Sequence, residues 1–170
     1  MTLTLETGEG VTDANAYADR TYANTYFTAR NIAGWTGAND VKDAALIRAT
    51  DYIDRRWGAS FVGRREFDND TNELQWPRVG VYDREGRAVE GIPDRLARAT
   101  CEYALRALTD ELMPDPEVSA SGLVLSERSK VGPIETETRY SEGSTAPLLR
   151  SYPIADRLIM EYVTPQGVYR

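Results

Sequence analysis

The sequence predicts a mainly helical α+β protein with about four helices and a β-hairpin in its C-terminal half. Apolar residues recur at helical spacing before residue 113, whereas residues 134–140 alternate between uncharged and charged side chains. Hydrophobic residues at 41% and charged residues at 28% are typical of a globular chain. A chain of 170 residues buries roughly 70% of its unfolded surface. We therefore expect one domain over residues 1–163, followed by a tail at 164–170.

The first two helices are predicted at about 19–30 and 39–56. Asp19 can cap the first helix, whose apolar residues share one face: Tyr22, Ala23, Tyr26 and Phe27. Asn39 or Asp40 is expected to cap the second helix, and its basic C-terminal end suits the helix dipole. The core-facing stripe of the second helix comprises Val41, Ala45, Leu46, Ala49, Tyr52 and Ile53.

A turn and a third helix are predicted between residues 74 and 112. Pro77 disfavours helix at Trp76, so we expect an extended or turned segment that is anchored by a buried indole. Pro93 suits the first helical turn, where no amide hydrogen is needed, and predicts a helix over about 93–112. Its buried face comprises Leu96, Thr100, Tyr103, Ala104, Ala107 and Leu108. Pro114 and Pro116 cannot continue this helix.

The C-terminal part is predicted to form a hairpin and a last helix. Residues 123–125 and the alternating run 134–140 predict two strands within about 122–140. An isolated hairpin is marginally stable in water, so we expect it to pack on the helices or to pair with another subunit. Ser151 and Pro153 open a helix over about 151–163 that buries Ile154, Ala155, Leu158, Ile159 and Tyr162.

Composition argues against several classes of function. The chain contains no histidine, so it lacks an imidazole base and the commonest metal ligand. Cys101 is the one cysteine, and a small buried thiol is the expected role for it. The net charge of −7 opposes tight binding of nucleic acid unless the surface is locally basic. We expect no enzymatic activity, no catalytic residue and no cofactor.

Residues 68–72 partly match a calcium-binding loop. Asp68, Asp70 and Asn72 alternate as the first three ligands of such a loop would. Glu73 stands where the turn needs glycine, and Val79 stands where a bidentate glutamate is required. We therefore interpret this segment as a solvated acidic loop and expect no metal site.

Cations and aromatic side chains interleave between residues 55 and 67. This pattern suits a surface that stacks bases and follows the phosphates of a single strand. The other interpretation is that the aromatic rings fill the core while the arginines reach out to water, which is the commoner arrangement near a helix end. The candidate nucleic-acid patch comprises Arg55, Arg56, Trp57, Phe61, Arg64 and Arg65.

Four segments resemble a known protein family. They are Thr25–Arg30, Asp43–Asp54, the run from Trp76-Pro77-Arg78 through Ile92-Pro93 to Leu108, and Lys130-Val131-Gly132 before a strand. In these segments the chain resembles the head-to-tail connector, or adaptor, proteins of tailed bacteriophages. Some members of that family are described as DnaT-like single-stranded-DNA-binding proteins. None of the segments is a catalytic motif, so the resemblance implies a scaffold and partners.

The resemblance implies a structural virion protein made in the host cytoplasm and located at the head-to-tail interface. Such a connector forms a homo-oligomeric ring of about twelve subunits on the portal protein during head completion. The ring contacts the next connector, stopper or tail protein, with no membrane involved. Double-stranded DNA passes through its lumen during packaging and ejection without specific binding.

Two surfaces are candidates for docking on the portal or on a neighbouring subunit. The tail beyond the last helix is one, because chain ends are normally disordered unless a partner orders them. The hairpin is the other. The candidate docking residues are Val168, Tyr169 and Arg170 in the tail and Val131, Ile134 and Tyr140 in the hairpin. The alternative function is DnaT-like binding of single-stranded DNA through the patch at residues 55–65.

Overall fold

The computed structural model describes residues 2–67, 73–114, 123–130, 135–141 and 150–164. The chain divides into two compact units, Met1–Leu112 with Ser151–Arg170, and Met113–Arg150. Within the described residues, the first unit holds four α-helices and a small sheet, and the second holds a β-hairpin. The predicted α+β class, mainly helical, is confirmed. A lone hairpin is not an independent fold, so the division into one domain and a tail stays a prediction.

The helices and strands follow the predicted order. Helix α1 spans Arg20–Thr28, α2 spans Asn39–Trp57, α3 spans Asp94–Ala107 and α4 spans Pro153–Ile159. Short 3₁₀ turns follow α2 at Gly58–Ser60 and α4 at Met160–Tyr162. Strand β1 (Arg64–Arg65) pairs antiparallel with β2 (Arg78–Val79), and β3 (Leu123–Lys130) pairs antiparallel with β4 (Glu135–Ser141).

The predicted helix ends differ most from the observed ones at the C-terminal ends of α3 and α4. Helix α3 ends at Ala107 instead of residue 112, and the chain continues as turns in which Asp110 N–H donates to the Arg106 carbonyl at 2.9 Å. Thr109 and Asp110 are weak helix formers because their side chains compete for backbone hydrogen bonds, which accounts for the early end. Helix α4 is shorter than predicted because its last turn tightens into the 3₁₀ form.

The N-cap residue predicted from the sequence is confirmed for α1 and is wrong for α2. Asp19 Oδ1 accepts the Tyr22 amide at 2.6 Å, as predicted. The predicted caps of α2, Asn39 and Asp40, are wrong, because both lie inside the helix and the capping position is Ala38, which has no side-chain acceptor. The carboxylate of Asp40 still lies in the first turn, where the positive end of the helix dipole favours it.

Helix α3 packs against α1, α2 and α4 and forms the centre of the first unit. Its buried side chains are mostly small, so neighbouring helices approach closely. The predicted core stripes are confirmed except at their ends. Val41 and Ile154 are 44% and 59% exposed, because each lies in the first turn of its helix, beyond the reach of the packed neighbours.

The segment before β2 is anchored by Trp76, as the sequence predicts. The indole is fully buried and packs edge-on against the rings of Phe61 and Tyr162, at centroid distances of 5.8 and 5.3 Å. The peptide bond between Trp76 and Pro77 is cis. Gly63 has φ of +72°, and a Cβ at that position would lie 2.4 Å from the Val79 carbonyl oxygen, so the turn before β1 requires glycine.

Candidate nucleic-acid interface

The predicted arginine–aromatic patch lies where α2 ends and the chain turns into β1. Arg55 and Arg64 are exposed to solvent, whereas Arg65 and Trp57 are half-buried. Phe61 is buried, with 6% of its surface exposed. The structure therefore divides the patch into an outer set of cations and an inner set of aromatic rings.

Arg56 points inward and is held by groups of the core. Its Nη2 lies 3.2 Å from Asp156 Oδ2, and its Nη1 donates to the Tyr52 hydroxyl. The guanidinium also lies 4.6 Å from the centroid of the Trp57 ring, a cation–π distance. Only 12% of the Arg56 side chain is exposed, so its charge is neutralised within the protein.

Asp156 is the acceptor on which this network converges. Its carboxylate receives the Tyr103 hydroxyl at 2.5 Å and the Tyr152 amide at 3.0 Å, in addition to Arg56. Burial, followed by the hydrogen bond to Asp156, raises the pKa of Tyr103 well above its usual value. One carboxylate of α4 therefore joins α2 and α3 to the start of its own helix.

Of the aromatic members of the patch, Phe61 belongs to the core and Trp57 packs against it while half-buried. Trp57 Nε1 donates to the Tyr103 hydroxyl at 3.2 Å, and Phe61 packs edge-on against Trp76. A base can stack only on a ring whose face is open to solvent. Phe61 therefore packs in the core, while Trp57 is half-buried against it, and the choice between the two interpretations stays a prediction.

Arg78 holds the patch in shape, although no pattern in the sequence marked it as a site residue. Its guanidinium donates to the carbonyl oxygens of Val62 at 2.8 Å, Gly63 at 2.9 Å and Gln75 at 3.1 Å. Burial lowers the pKa of Arg78. The side chain is 7% exposed and ties the turn between α2 and β1 to the Trp76 segment. The local signal was the Trp-Pro-Arg run, but the carbonyl partners of Arg78 lie up to 17 residues away, at Phe61.

A carboxyl group lies beneath the outer cations. Asp54 Oδ1 accepts the Tyr17 hydroxyl at 2.6 Å, and Asp54 Oδ2 accepts the Gln75 amide at 3.1 Å. Burial raises the pKa of Asp54 to about 7, against the opposing effects of these hydrogen bonds and of Arg65. Near neutral pH this group is therefore only partly ionised and offsets less of the positive charge of Arg65 than an ordinary aspartate would.

Arg55 and Arg64 are the exposed arginines of this segment, and Arg65 adjoins them at half burial. The chain from residue 55 to 65 contains four arginines and no carboxylate, and Arg56 is the one that the core neutralises. Exposed Asp51 and Glu66 flank the segment in sequence. The arrangement can attract phosphate groups but offers them no aromatic platform from Trp57 or Phe61.

The candidate docking residues lie mostly outside the described residues. This holds for Val168, Tyr169 and Arg170 of the tail and for Val131 and Ile134 of the hairpin. Tyr140 lies in β4, where its Cα is paired with that of Val124. The acidic loop at residues 68–72 also lies outside the described residues.

A reactive thiol and a metal site were the other possibilities that the sequence raised. Cys101 is fully buried in α3, and burial raises the pKa of its thiol far above the usual range. Within the described ranges, no cluster of three or more histidine, cysteine, aspartate or glutamate residues could hold a metal ion. Among the same residues, no helix is both long and apolar enough to cross a bilayer.

Comparison with known proteins places the chain in a family. The model of the family described as "Putative DnaT-like ssDNA binding protein" matches residues 1–170. Neither a curated protein nor a solved structure matches the chain. The DnaT-like part of the resemblance is thus confirmed, while the connector part stays a prediction. Because the match extends over the whole length, the chain belongs to the DnaT-like family that this model describes.

Proposed function

We propose that this protein binds single-stranded DNA through the exposed cations at the end of α2 and in β1. The observation that carries the proposal is the family match over residues 1–170, since the family is described by that activity. Arg55 and Arg64 are the exposed cations of the segment, and Arg65 adjoins them at half burial. Each cation that neutralises a phosphate releases a counterion, which favours binding at low salt.

The burial of the rings and the net charge also bear on how strong and how salt-dependent this binding should be. Phe61 is buried against Trp76, and Trp57 is half-buried with its indole N–H bound to Tyr103, so we expect little stacking on these rings. The net charge of −7 repels a polyanion at long range. We expect affinity that is weak, independent of sequence and steeply reduced by salt, because it depends on a few phosphate contacts.

Fluorescence anisotropy with a labelled oligothymidine tests this proposal. The double variant Arg55→Glu/Arg64→Glu should abolish binding at low salt. A matched control, Arg84→Glu/Arg157→Glu, changes two exposed arginines elsewhere and alters the net charge equally. The control should retain most of the affinity. Absence of salt-sensitive binding by the unmodified protein, or equal loss in both variants, would contradict the proposal.

A second candidate function is that of a head-to-tail connector, as the resemblance implies. The observation that favours it is the internal use of Arg56, Trp57 and Phe61, which leaves no assembled stacking surface in the predicted patch. A net charge of −7 suits a conduit that lets double-stranded DNA slide. In this proposal a ring of subunits on the portal continues the DNA channel towards the next connector or tail protein of the virion.

Two measurements distinguish the connector from a strand-binding protein. Negative-stain microscopy of the protein with and without a portal should show a ring of defined symmetry seated on the portal. Deletion of residues 164–170 should leave the helical unit folded but impair attachment to portal-containing heads. A monomer that shows no portal attachment, together with salt-sensitive strand binding, would exclude the connector function.

A further inference from the structure

Tyr82 presents an exposed aromatic ring three residues beyond the end of β2. With 61% of its surface exposed, it is the most exposed large hydrophobic side chain among the residues whose burial the structure describes. In this part of the chain no other aromatic ring packs against it. A ring that is open to solvent can stack on a planar ligand, as the buried ring of Phe61 cannot.

A tight reversal of the chain holds Tyr82 in a fixed backbone frame. An antiparallel bridge pairs Tyr82 with Ala88. Between them, Asp83 Oδ1 accepts the amides of Glu85 and Arg87 at 3.0 and 2.8 Å. Residues that face each other in an antiparallel pair lie on the same side of the ribbon, and the methyl group of Ala88 is too small to cover the ring. The ring is therefore presented by an ordered turn, so a ligand that contacts it has little chain to order.

Tyr82 is one of the residues that line a concavity of about 390 Å³. Three other lining residues are glycines with positive φ, namely Gly8, Gly80 and Gly91. The backbones of Gly8 and Gly91 approach so closely that a Cβ on Gly8 would lie 2.7 Å from the Gly91 Cα. Glycine leaves the backbone uncovered and lets a ligand come close to it. The concavity therefore combines an aromatic residue with exposed backbone, which suits a small planar ligand.

The charges around the concavity separate the place of a base from that of a phosphate. Glu66 and Glu90 line the concavity, and their carboxylates repel a phosphate. Arg78 also lines it, but its guanidinium is engaged with backbone carbonyls. Exposed Arg64 lies alongside, because its Cα pairs with that of Val79, three residues before the ring. A neutral base therefore fits the concavity, while the phosphate next to that base fits Arg64.

We propose that a base of single-stranded DNA stacks on the ring of Tyr82 beside the concavity, while the adjacent phosphate binds Arg64. The inference rests on the proposed function and names a stacking residue outside the patch at residues 55–65. Stacking on an aromatic ring tolerates any sequence, because every base has a π-face. The reversal at residues 83–87 carries two cations and two carboxylates, so it adds no net attraction for further phosphates.

Fluorescence anisotropy of the full-length protein with two labelled strands tests the stacking. One strand is an oligothymidine, and the other is a strand of the same length made of abasic sites, which keeps the phosphates and lacks the bases. Tyr82→Ala should weaken binding of the oligothymidine about tenfold, the loss expected for one stacked base, and Tyr82→Phe should restore most of the affinity. On the abasic strand, Tyr82→Ala should bind as the unmodified protein does, because only phosphate contacts remain.

The matched control is Met160→Ala, which removes another large apolar side chain of the helical unit, 56% exposed, and should bind the oligothymidine normally. A second measurement needs no variant, because irradiation with an oligonucleotide that contains 5-iodouracil should attach the base to Tyr82. The inference is overturned if Tyr82→Ala binds the oligothymidine as tightly as the control does, or if the base attaches only elsewhere. In both cases, salt-sensitive binding by the unmodified protein would leave the proposed function standing. If the unmodified protein binds neither strand, the proposed function fails and this inference fails with it.

Discussion

Replacing Asp156 with alanine should destabilise the helical unit more than any change at an exposed ion pair. The carboxylate is 4% exposed and accepts the Tyr103 hydroxyl, the Tyr152 amide and the Arg56 guanidinium. Its loss leaves a guanidinium that is 12% exposed without its counter-charge. Breaking a buried pair by removing one partner costs about 3–5 kcal/mol, so we expect a loss of that size in the free energy of unfolding.

Two further variants separate the contributions to this loss. Asp156→Asn keeps the shape and one oxygen acceptor but removes the charge, and should cost about 1–3 kcal/mol. In the double-mutant cycle with Arg56→Ala, the coupling energy should exceed about 1 kcal/mol, since the two side chains are in direct contact. The control Asp43→Ala breaks the pair with Arg20, whose side chains are 23% and 36% exposed, and should cost at most about 1 kcal/mol.

Urea unfolding followed by tryptophan fluorescence measures all of these variants. Trp57 donates to Tyr103, so its emission reports on the network directly. The reasoning is refuted if Asp156→Ala shifts the unfolding free energy no more than Asp43→Ala does. A coupling energy near zero between Arg56 and Asp156 would show that the ion pair contributes nothing beyond the separate packing of the two side chains.

Three other changes have expected outcomes that the same unfolding assay can measure. Trp76→Ala should cost about 3–5 kcal/mol as a truncation of a fully buried ring, and an unchanged midpoint would contradict this. Arg78→Lys should cost about 1–3 kcal/mol, because an ammonium cannot reach four separated carbonyl groups as the planar guanidinium does; an unaltered stability would show the carbonyl contacts to be dispensable. The pKa of Asp54 is raised to about 7 in the folded protein, so the unfolded chain ionises first and wild-type stability falls as pH rises from about 4 to 7. Stability measured at several pH values should therefore decline less over this range in Asp54→Asn than in the wild type, and parallel profiles would contradict the raised pKa.

The sequence predicted those parts of the fold that depend on residues close together in the chain. The stripes of α2 and α3 follow from i, i+4 spacing, and the cap at Asp19 follows from a carboxylate three residues before the amide it accepts. The hairpin follows from alternation. The exposed Val41 and Ile154 show the limit of this reasoning, because periodicity gives the face of a helix but not how far its neighbours extend.

Local sequence patterns could not predict the hydrogen-bond network at Asp156. Arg56 lies at the end of α2, where it suits the helix dipole, and this was the role that the sequence indicated. Its partner Asp156 lies 100 residues further along the chain, in a helix that was predicted to contribute apolar side chains to the core. Arg78 was missed for a related reason, since backbone carbonyl acceptors leave no trace in residue identities. Long-range polar contacts of this kind become visible only when the helices are placed in space.

The internal role of Arg56 bears directly on the two proposed functions. A protein that evolved mainly to stack bases would expose the rings that lie between its cations. Here Trp57 donates to a core tyrosine and Phe61 packs on Trp76, so the same residues that suggested a strand-binding surface instead stabilise the fold. The proposed binding of single-stranded DNA therefore depends on the charges of the exposed Arg55 and Arg64, with the half-buried Arg65 beside them.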